Sequence, residues 1–261
     1  MNPDNPYKII ETHAHYDDPR YDGDRDSLLP ALHEWGVEAI VNVGADMASS
    51  RAAAALAARY NFLYAAAGIH PHEAKGMTGA DLDELAELSR RPKVIALGEM
   101  GLDFHYDLSP RDVQKECFQT QLELAEKLGL PVIIHSREAN GETMAMLRAS
   151  SVRRGVIHCF SGTAELALAY AEMGFFIGIG GVITFDKSGR LERAVQALPL
   201  ERVLLETDCP YLSPAPHRGR RNDSSMLTFI AEKIASAKDQ PVSKIYEITR
   251  ENAKNCFPLL K

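Results

Sequence analysis

Six of the nine histidines stand where they could work together. His13 and His15 leave the apolar run Tyr7-Lys8-Ile9-Ile10 two positions apart. Side chains of an extended segment alternate in direction, so this pair projects to one side and can chelate one ion. Alone, such a pair is as compatible with hydrogen bonding on a strand as with metal. His70 and His72 in Gly68-Ile69-His70-Pro71-His72, Glu99 in Gly98-Glu99-Met100-Gly101-Leu102-Asp103, His135, His158 and Asp208 end or follow five further apolar runs. A single strand-end His or Asp ordinarily caps a helix or bonds a loop. Gathered at one mouth, these groups would repel one another unless a cation lay between them. Four or more imidazoles with two carboxylates exceed the three protein ligands that a catalytic zinc commonly takes. Two ions sharing a carboxylate would use them all, and Glu99, near the middle of the series, is the best placed bridge. Such ions sit about 3.5–4 Å apart and stabilise the attacking and leaving oxygens of phosphoester cleavage. Hydrolysis is the chemistry this donor set suits.

The elements that must position these residues are short apolar runs alternating with helical patterns. The runs are Lys8 to Thr12, Ala39 to Val43, Leu63 to Ala67, Val94 to Gly98, Val132 to His135, Gly155 to His158, Phe175 to Ile179 and Val203 to Thr207. Eight runs, each with room for a helix after it, are the pattern of a (β/α)8 TIM barrel, whose catalytic groups stand at the C-terminal ends of the strands. An open doubly wound sheet is the competing arrangement. Ser109-Pro110 places a capping hydroxyl before a helix-opening proline, and Phe118, Leu122, Ala125 and Leu128 form a stripe that Gly129 ends. The run Ala52 to Ala55 reads as a closely packed helix, and helical patterns near Ser225 to Ala237 and Val242 to Asn252 close the chain. No linker or low-complexity tract interrupts the series, so residues 1–261 read as one domain.

The bulk numbers agree. A single α/β barrel typically uses about 250 residues, and a chain of this length buries about three quarters of its unfolded surface without help from disulfides. Cys117, Cys159, Cys209 and Cys256 follow no regular spacing, which suits reduced thiols in a cytosol. Met1-Asn2-Pro3-Asp4-Asn5-Pro6 lacks a basic stretch followed by an apolar one, and no run reaches the roughly 18 apolar residues of a membrane span, so a cytoplasmic protein with no membrane partner is expected. A net charge of −7 argues against a general nucleic-acid coat protein but leaves room for an enzyme that holds phosphates locally.

The joint pattern is more specific than any piece of it. His13-x-His15, Gly68-Ile69-His70-Pro71-His72, Gly98-Glu99-Met100-Gly101-Leu102-Asp103, His135-Ser136-Arg137, His158-Cys159-Phe160-Ser161-Gly162, Glu206-Thr207-Asp208-Cys209-Pro210-Tyr211-Leu212 and Arg218-Gly219, in that order, resemble the TatD family of metal-dependent deoxyribonucleases, which belongs to the amidohydrolase-like barrels. The resemblance implies two divalent ions (Mg2+, Mn2+ or Zn2+), one held by His13, His15, Glu99 and Asp208, the other by the same Glu99 with His135 and His158. It implies catalytic roles for Asp208, which would orient or deprotonate the attacking water, and for Glu99. His70 would contact a substrate phosphate or the attacking water, a structural bond in the Pro71 turn being the other reading. The substrate implied is DNA, single-stranded or frayed at its 3′ ends, trimmed in the 3′ to 5′ direction, with no obligate protein partner.

Arg218, Arg220 and Arg221 form a basic run near the mouth that suits phosphate, although such runs are usually solvated faces. Few aromatics lie near that run in sequence, so extensive base stacking is not expected. Two positions depart from the family pattern: Glu11 stands where Asp is usual, preceding the ligands, and Asp223-Ser224 stands where Glu-Pro is usual. A different bond, an amide, ester or lactone in a small molecule or aminoacyl adduct, is the alternative chemistry, and a metal-bearing scaffold without catalysis is the third reading.

Overall fold

Each of the eight apolar runs forms a strand, and a helix or helical turn follows every one. The computed structural model describes residues 8–260; Tyr7 and the Met1–Pro6 stretch lie outside them. The order is β1 (Ile9–Ala14), α1 (Arg25–Trp35), β2 (Val37–Val43), α2 (Met47–Arg59), β3 (Leu63–Ala67), α3 (Gly79–Leu88), β4 (Val94–Asp103), α4 (Arg111–Leu128), β5 (Val132–Arg137), α5 (Asn140–Ala149), β6 (Gly155–Ile157), α6 (Ala164–Glu172), β7 (Phe176–Ile179), α7 (Arg190–Ala197), β8 (Val203–Leu205), α8 (Leu227–Lys238) and α9 (Val242–Cys256). All strand pairs are parallel and the sheet order is the chain order. The sheet returns on itself where Ala14 bridges Cys209, with His15 N donating to Cys209 O at 2.8 Å and Asp208 N to His13 O at 3.0 Å. This is the expected (β/α)8 barrel. An open doubly wound sheet is excluded, because its strand order reverses at a switch point and its edges do not meet.

Two apolar layers follow from strand alternation. Ile10, Val41, Ala66, Ile95, Ile133, Val156, Phe176 and Leu204 fill the interior with at least one residue from every strand, joined by Cys256, Phe257 and Leu260 at the end of α9. The outward residues pack under the helices. In α4, Phe118, Leu122 and Ala125 are fully buried, each large one worth about 1.5–3 kcal/mol, and the helix ends as expected at Gly129, which is left-handed at φ 67°.

Three local expectations are corrected, and each bears on the site. Ser109 does not cap α4: its hydroxyl donates to His72 O at 2.9 Å and accepts from Lys75 N at 3.1 Å, while Pro110 occupies the cap position without a side-chain bond. It is fully buried against the Pro71–Gly76 turn, so its best partners belong to that turn and it pins the segment carrying His70 and His72. β4 does not stop at Gly98 but continues through Asp103, because Met100 to Asp103 keep pairing with Ile134 to Arg137 of β5. β8 ends at Leu205, leaving Glu206, Thr207 and Asp208 as an irregular exit from the barrel. There Asp208 adopts φ 57°, a left-handed conformation uncommon for residues other than glycine.

Candidate metal centre

The strand ends converge. His13 is fully buried and its Nε2 lies 3.2 Å from Nε2 of His15, so the pair does face one way. His15 Nδ1 donates to Val43 O at 2.8 Å, which turns its other nitrogen toward His13. Two imidazole lone pairs can face each other across that gap only with a proton or a cation between them. Glu99 occupies the middle of the cluster. Its Oε1 is 2.9 Å from His135 Nδ1, 3.0 Å from His158 Nε2 and 3.6 Å from His70 Nε2, and its Oε2 is 3.4 Å from His13 Nε2. Asp208 Oδ1 lies 3.3 Å from His15 and 3.7 Å from His13. The combinations His13–His15–Glu99 and His70–Glu99–His135 each bring three donor atoms within 4.8 Å of one another. Nitrogen and carboxylate donors crowded in this way fit divalent zinc, manganese or iron.

The electrostatics carry the same message. Burial disfavours the Glu99 carboxylate, but His158 and His70 outweigh it and hold Glu99 well below the usual carboxylate range. Burial likewise opposes charge on His158, yet Glu99 and Glu206 raise it well above an ordinary histidine. His15 is raised to about 9, burial being outweighed by Asp208 and Glu99. Without metal these nitrogens therefore hold protons against anions, and a metal ion would displace those protons on binding.

A second set of groups holds the first. Asp103 Oδ2 accepts from His135 Nε2 at 3.1 Å and from His72 Nε2 at 3.0 Å. Glu206, fully buried, lies 3.4 Å from His158 Nδ1 and accepts from Cys159 N at 2.5 Å. The Asp103 hydrogen bond fixes the His135 ring, whereas Glu206 faces His158 Nδ1 without a hydrogen bond. His70 Nδ1 accepts from His72 N at 3.2 Å, and burial lowers its pKa well below the ordinary value, so the neutral ring carries its proton on Nε2 and presents a donor to the cleft. Both readings of His70, turn bond and substrate-facing group, are thus compatible with one ring.

Glu11 precedes the ligands and ties two strand ends together: it accepts from His13 N at 3.2 Å, from Thr207 N at 2.9 Å and from Thr207 Oγ1 at 2.7 Å. Burial pushes its carboxyl from 4.5 up to about 8. Between those values the folded protein holds a proton that the unfolded chain has lost, so stability falls as pH rises across the window. In metal-free protein, the melting temperature of the wild type should fall more steeply between about pH 5 and about pH 8 than that of Glu11→Gln, which has no such proton to lose. Parallel curves would mean that Glu11 is ionised inside the fold.

The TatD related DNase family profile matches residues 10–258. The chain belongs to that family. The uncharacterized metal-dependent hydrolase YabD of Bacillus subtilis strain 168 is 41% identical to it over 251 residues, covering 95% of this chain and 98% of the relative. The 3′-5′ ssDNA/RNA exonuclease TatD of Edwardsiella piscicida is 36% identical over 248 residues, covering 92% and 95%. Among solved structures, YJJV, a TatD homolog from Escherichia coli K12, superposes with a TM-score of 0.91 at 32% identity over 96% of this chain and 98% of its own. As a TatD-family protein the molecule is a metal-dependent hydrolase.

In this TatD-family barrel the cluster opens into a cleft of about 580 Å³, whose wall includes His15, His70, Asp103, His135, Arg137 and Asp208. Arg218 is not on that wall: its guanidinium lies 3.8 Å over the Phe185 ring and donates to Ser213 O at 2.8 Å. Arg221 is paired with Asp24 at 2.6 Å, and Arg220 is exposed. Asp223, the other departure from the family pattern, caps the turn before α8 by accepting from Ser225 N at 2.9 Å. Two aromatic groups, Tyr106 and Tyr211, 53% and 46% exposed, border the cleft. Asp103 was findable in the sequence, since Glu99, Gly101 and Asp103 alternate onto one side if the strand continues through the glycine. Tyr106 carried no such signal, because a loop brings it there, whereas Tyr211 lies within the motif that follows Asp208.

Proposed function

We propose that this protein hydrolyses phosphodiester bonds of DNA, removing nucleotides from single-stranded or frayed 3′ ends. The observation that carries the reading is the convergence of His15, His70, His72, His135 and His158 with Glu99, Asp103 and Asp208 on one open cleft at the C-terminal mouth of the barrel. In this reading His13, His15, Glu99 and Asp208 hold one divalent ion, and Glu99, His135 and His158 a second. When bound, such ions supply Lewis acidity at the phosphoryl group and neutralise its charge. Asp208, at the irregular exit of β8, orients the attacking water and takes its proton. The Nε2–H of His70 donates to a non-bridging phosphate oxygen, and Tyr106 and Tyr211, each with an arginine (Arg137 and Arg20) over one face, can stack a base only on the other. The relative named as a ssDNA/RNA exonuclease supports the same substrate class. A cytoplasmic location belongs to this reading, supported by four unpaired cysteines, three of them buried.

Chelator-treated protein, resupplied with Mg2+, Mn2+ or Zn2+ and given a 5′-labelled single-stranded oligonucleotide, should produce a ladder shortening from the 3′ end. Protein that binds metal, leaves the oligonucleotide intact with each ion and hydrolyses members of an ester, lactone and amide panel would overturn the reading in favour of small-molecule hydrolysis.

A further inference from the structure

The cleft does not end at the metal-ligating residues. Arg137, on its wall, also lines an adjoining cavity of about 250 Å³ bordered by Ser136, Asn140, Ser161, Gly162 and Arg190. Arg190 and Thr163 in turn line a further hollow of about 270 Å³ that reaches Arg193. Shared lining residues link the three spaces into a candidate groove that runs from the barrel mouth past the start of α5 and α6 to the start of α7. Its walls carry hydroxyl, amide and guanidinium groups beside the apolar side chains of Leu166 and Ala164. Glu138, the acidic residue of the middle cavity, is held by His105 Nδ1 at 2.8 Å, and the acidic residue of the outer hollow is Glu165.

Two of the three guanidinium groups here, those of Arg137 and Arg190, are available, whereas Arg193 donates to Ser188 O at 3.3 Å. Arg20 and Arg221, elsewhere on the mouth, are committed to Asp18 at 2.8 Å and Asp24 at 2.6 Å. Arg137 and Arg190 make no ion pair and no side-chain hydrogen bond among the described residues; Arg137 lies 4.6 Å over the face of Tyr106, whose ring meets His72 edge-on at 5.5 Å. A stacked arginine is fixed in direction while its N–H groups remain free for an anion. Cations spaced along a line leading from a phosphodiester-cleaving site match a repeating anion.

We propose that this groove carries the strand leading into the cleft. The 3′-terminal nucleotide lies at the metal centre, and the phosphates on its 5′ side pass Arg137 and then Arg190. The inference rests on the nuclease reading and adds to it a direction of approach and a substrate length beyond the bond being cut.

The test compares an oligothymidylate ten-mer with a thymidine dinucleotide. Arg190→Ala should raise KM for the ten-mer several-fold more than for the dinucleotide, with kcat on the ten-mer little changed, and Arg190→Lys should restore most of the difference. Neutralising one phosphate contact should also lower the slope of log KM against log salt by about 0.7 on the ten-mer. Arg91→Ala, exposed before β4 on the opposite face of the barrel, controls for loss of net charge and should leave both substrates unaffected. Wild-type KM values equal for the two substrates, or an Arg190→Ala effect no larger than that of Arg91→Ala, would overturn the groove while leaving the nuclease reading intact. Failure of the wild type to cleave either substrate would remove the nuclease reading and the groove with it.

Discussion

Glu99→Gln should lower metal-saturated activity by at least about 10³-fold, at or beyond the roughly 10²–10³ that one positioned electrostatic group is usually worth. The reason is its central place: one carboxylate approaches four imidazoles, with His135 at 2.9 Å, His158 at 3.0 Å, His13 at 3.4 Å and His70 at 3.6 Å. Glutamine keeps the volume and removes the charge, so the change tests electrostatics and ligation with little effect on packing. Elemental analysis should find two ions per chain in the wild type, as the proposed ligand sets require, and fewer in the variant. The protons that metal displaces from the cluster give a second readout: calorimetric titration in buffers of different ionisation enthalpy should show fewer protons released by the variant. Retention of activity within tenfold together with full metal content would remove Glu99 from the shared position proposed for it.

Gly101→Ala should cost the most stability among the site's glycines. Gly101 adopts φ 144° and pairs with His135 in the β4–β5 register. A Cβ there would stand 2.0 Å from His135 O and 2.9 Å from its carbonyl carbon, both backbone atoms that cannot swing aside. Strain in that conformation and overpacking each cost about 1–3 kcal/mol, so a loss of about 2–6 kcal/mol is expected. At about 2–4 °C per kcal/mol for a chain of this size, the melting temperature should fall by about 10 °C. The displacement acts on the strand that carries His135, so metal affinity should fall as well. Gly79→Ala, whose Cβ would meet nothing within 4 Å, is the matched control. A Gly101→Ala protein melting with the control would show that β4 and β5 separate at no cost.

Residues whose roles depend on strand periodicity were legible in the chain, and those whose roles depend on where a loop folds back were not. His13 and His15 share a side because an extended backbone alternates, whatever packs around it. Ser109 shows the opposite case: its type and its place before Pro110 indicated a helix cap, yet its hydroxyl bonds His72 and Lys75, on a turn more than thirty positions earlier. Arg218 and Arg137 exchange roles for the same reason. The basic run at Arg218 to Arg221 was conspicuous in sequence but is partly consumed by Phe185, Ser213 and Asp24, while Arg137, flanked by Ser136 and Glu138, reaches the cleft.

By itself, then, the amino-acid order determined the barrel, the strand ends at which chemistry had to stand and the identity of the donor groups. These follow from short continuous apolar runs, as strands buried on both faces require, and from the rule that parallel strands deliver their C-terminal ends to one face. Only the tertiary structure decided that Glu99 lies within reach of four imidazoles, that Asp103 braces His135 while Glu206 faces His158, that Glu11 joins β1 to the exit of β8, and that Arg137 lies both on the cleft wall and in the cavity that Arg190 borders. Those are contacts between segments far apart in the chain. Their distances are set by how the closed barrel brings strand ends and loops together, which no local pattern of residues encodes.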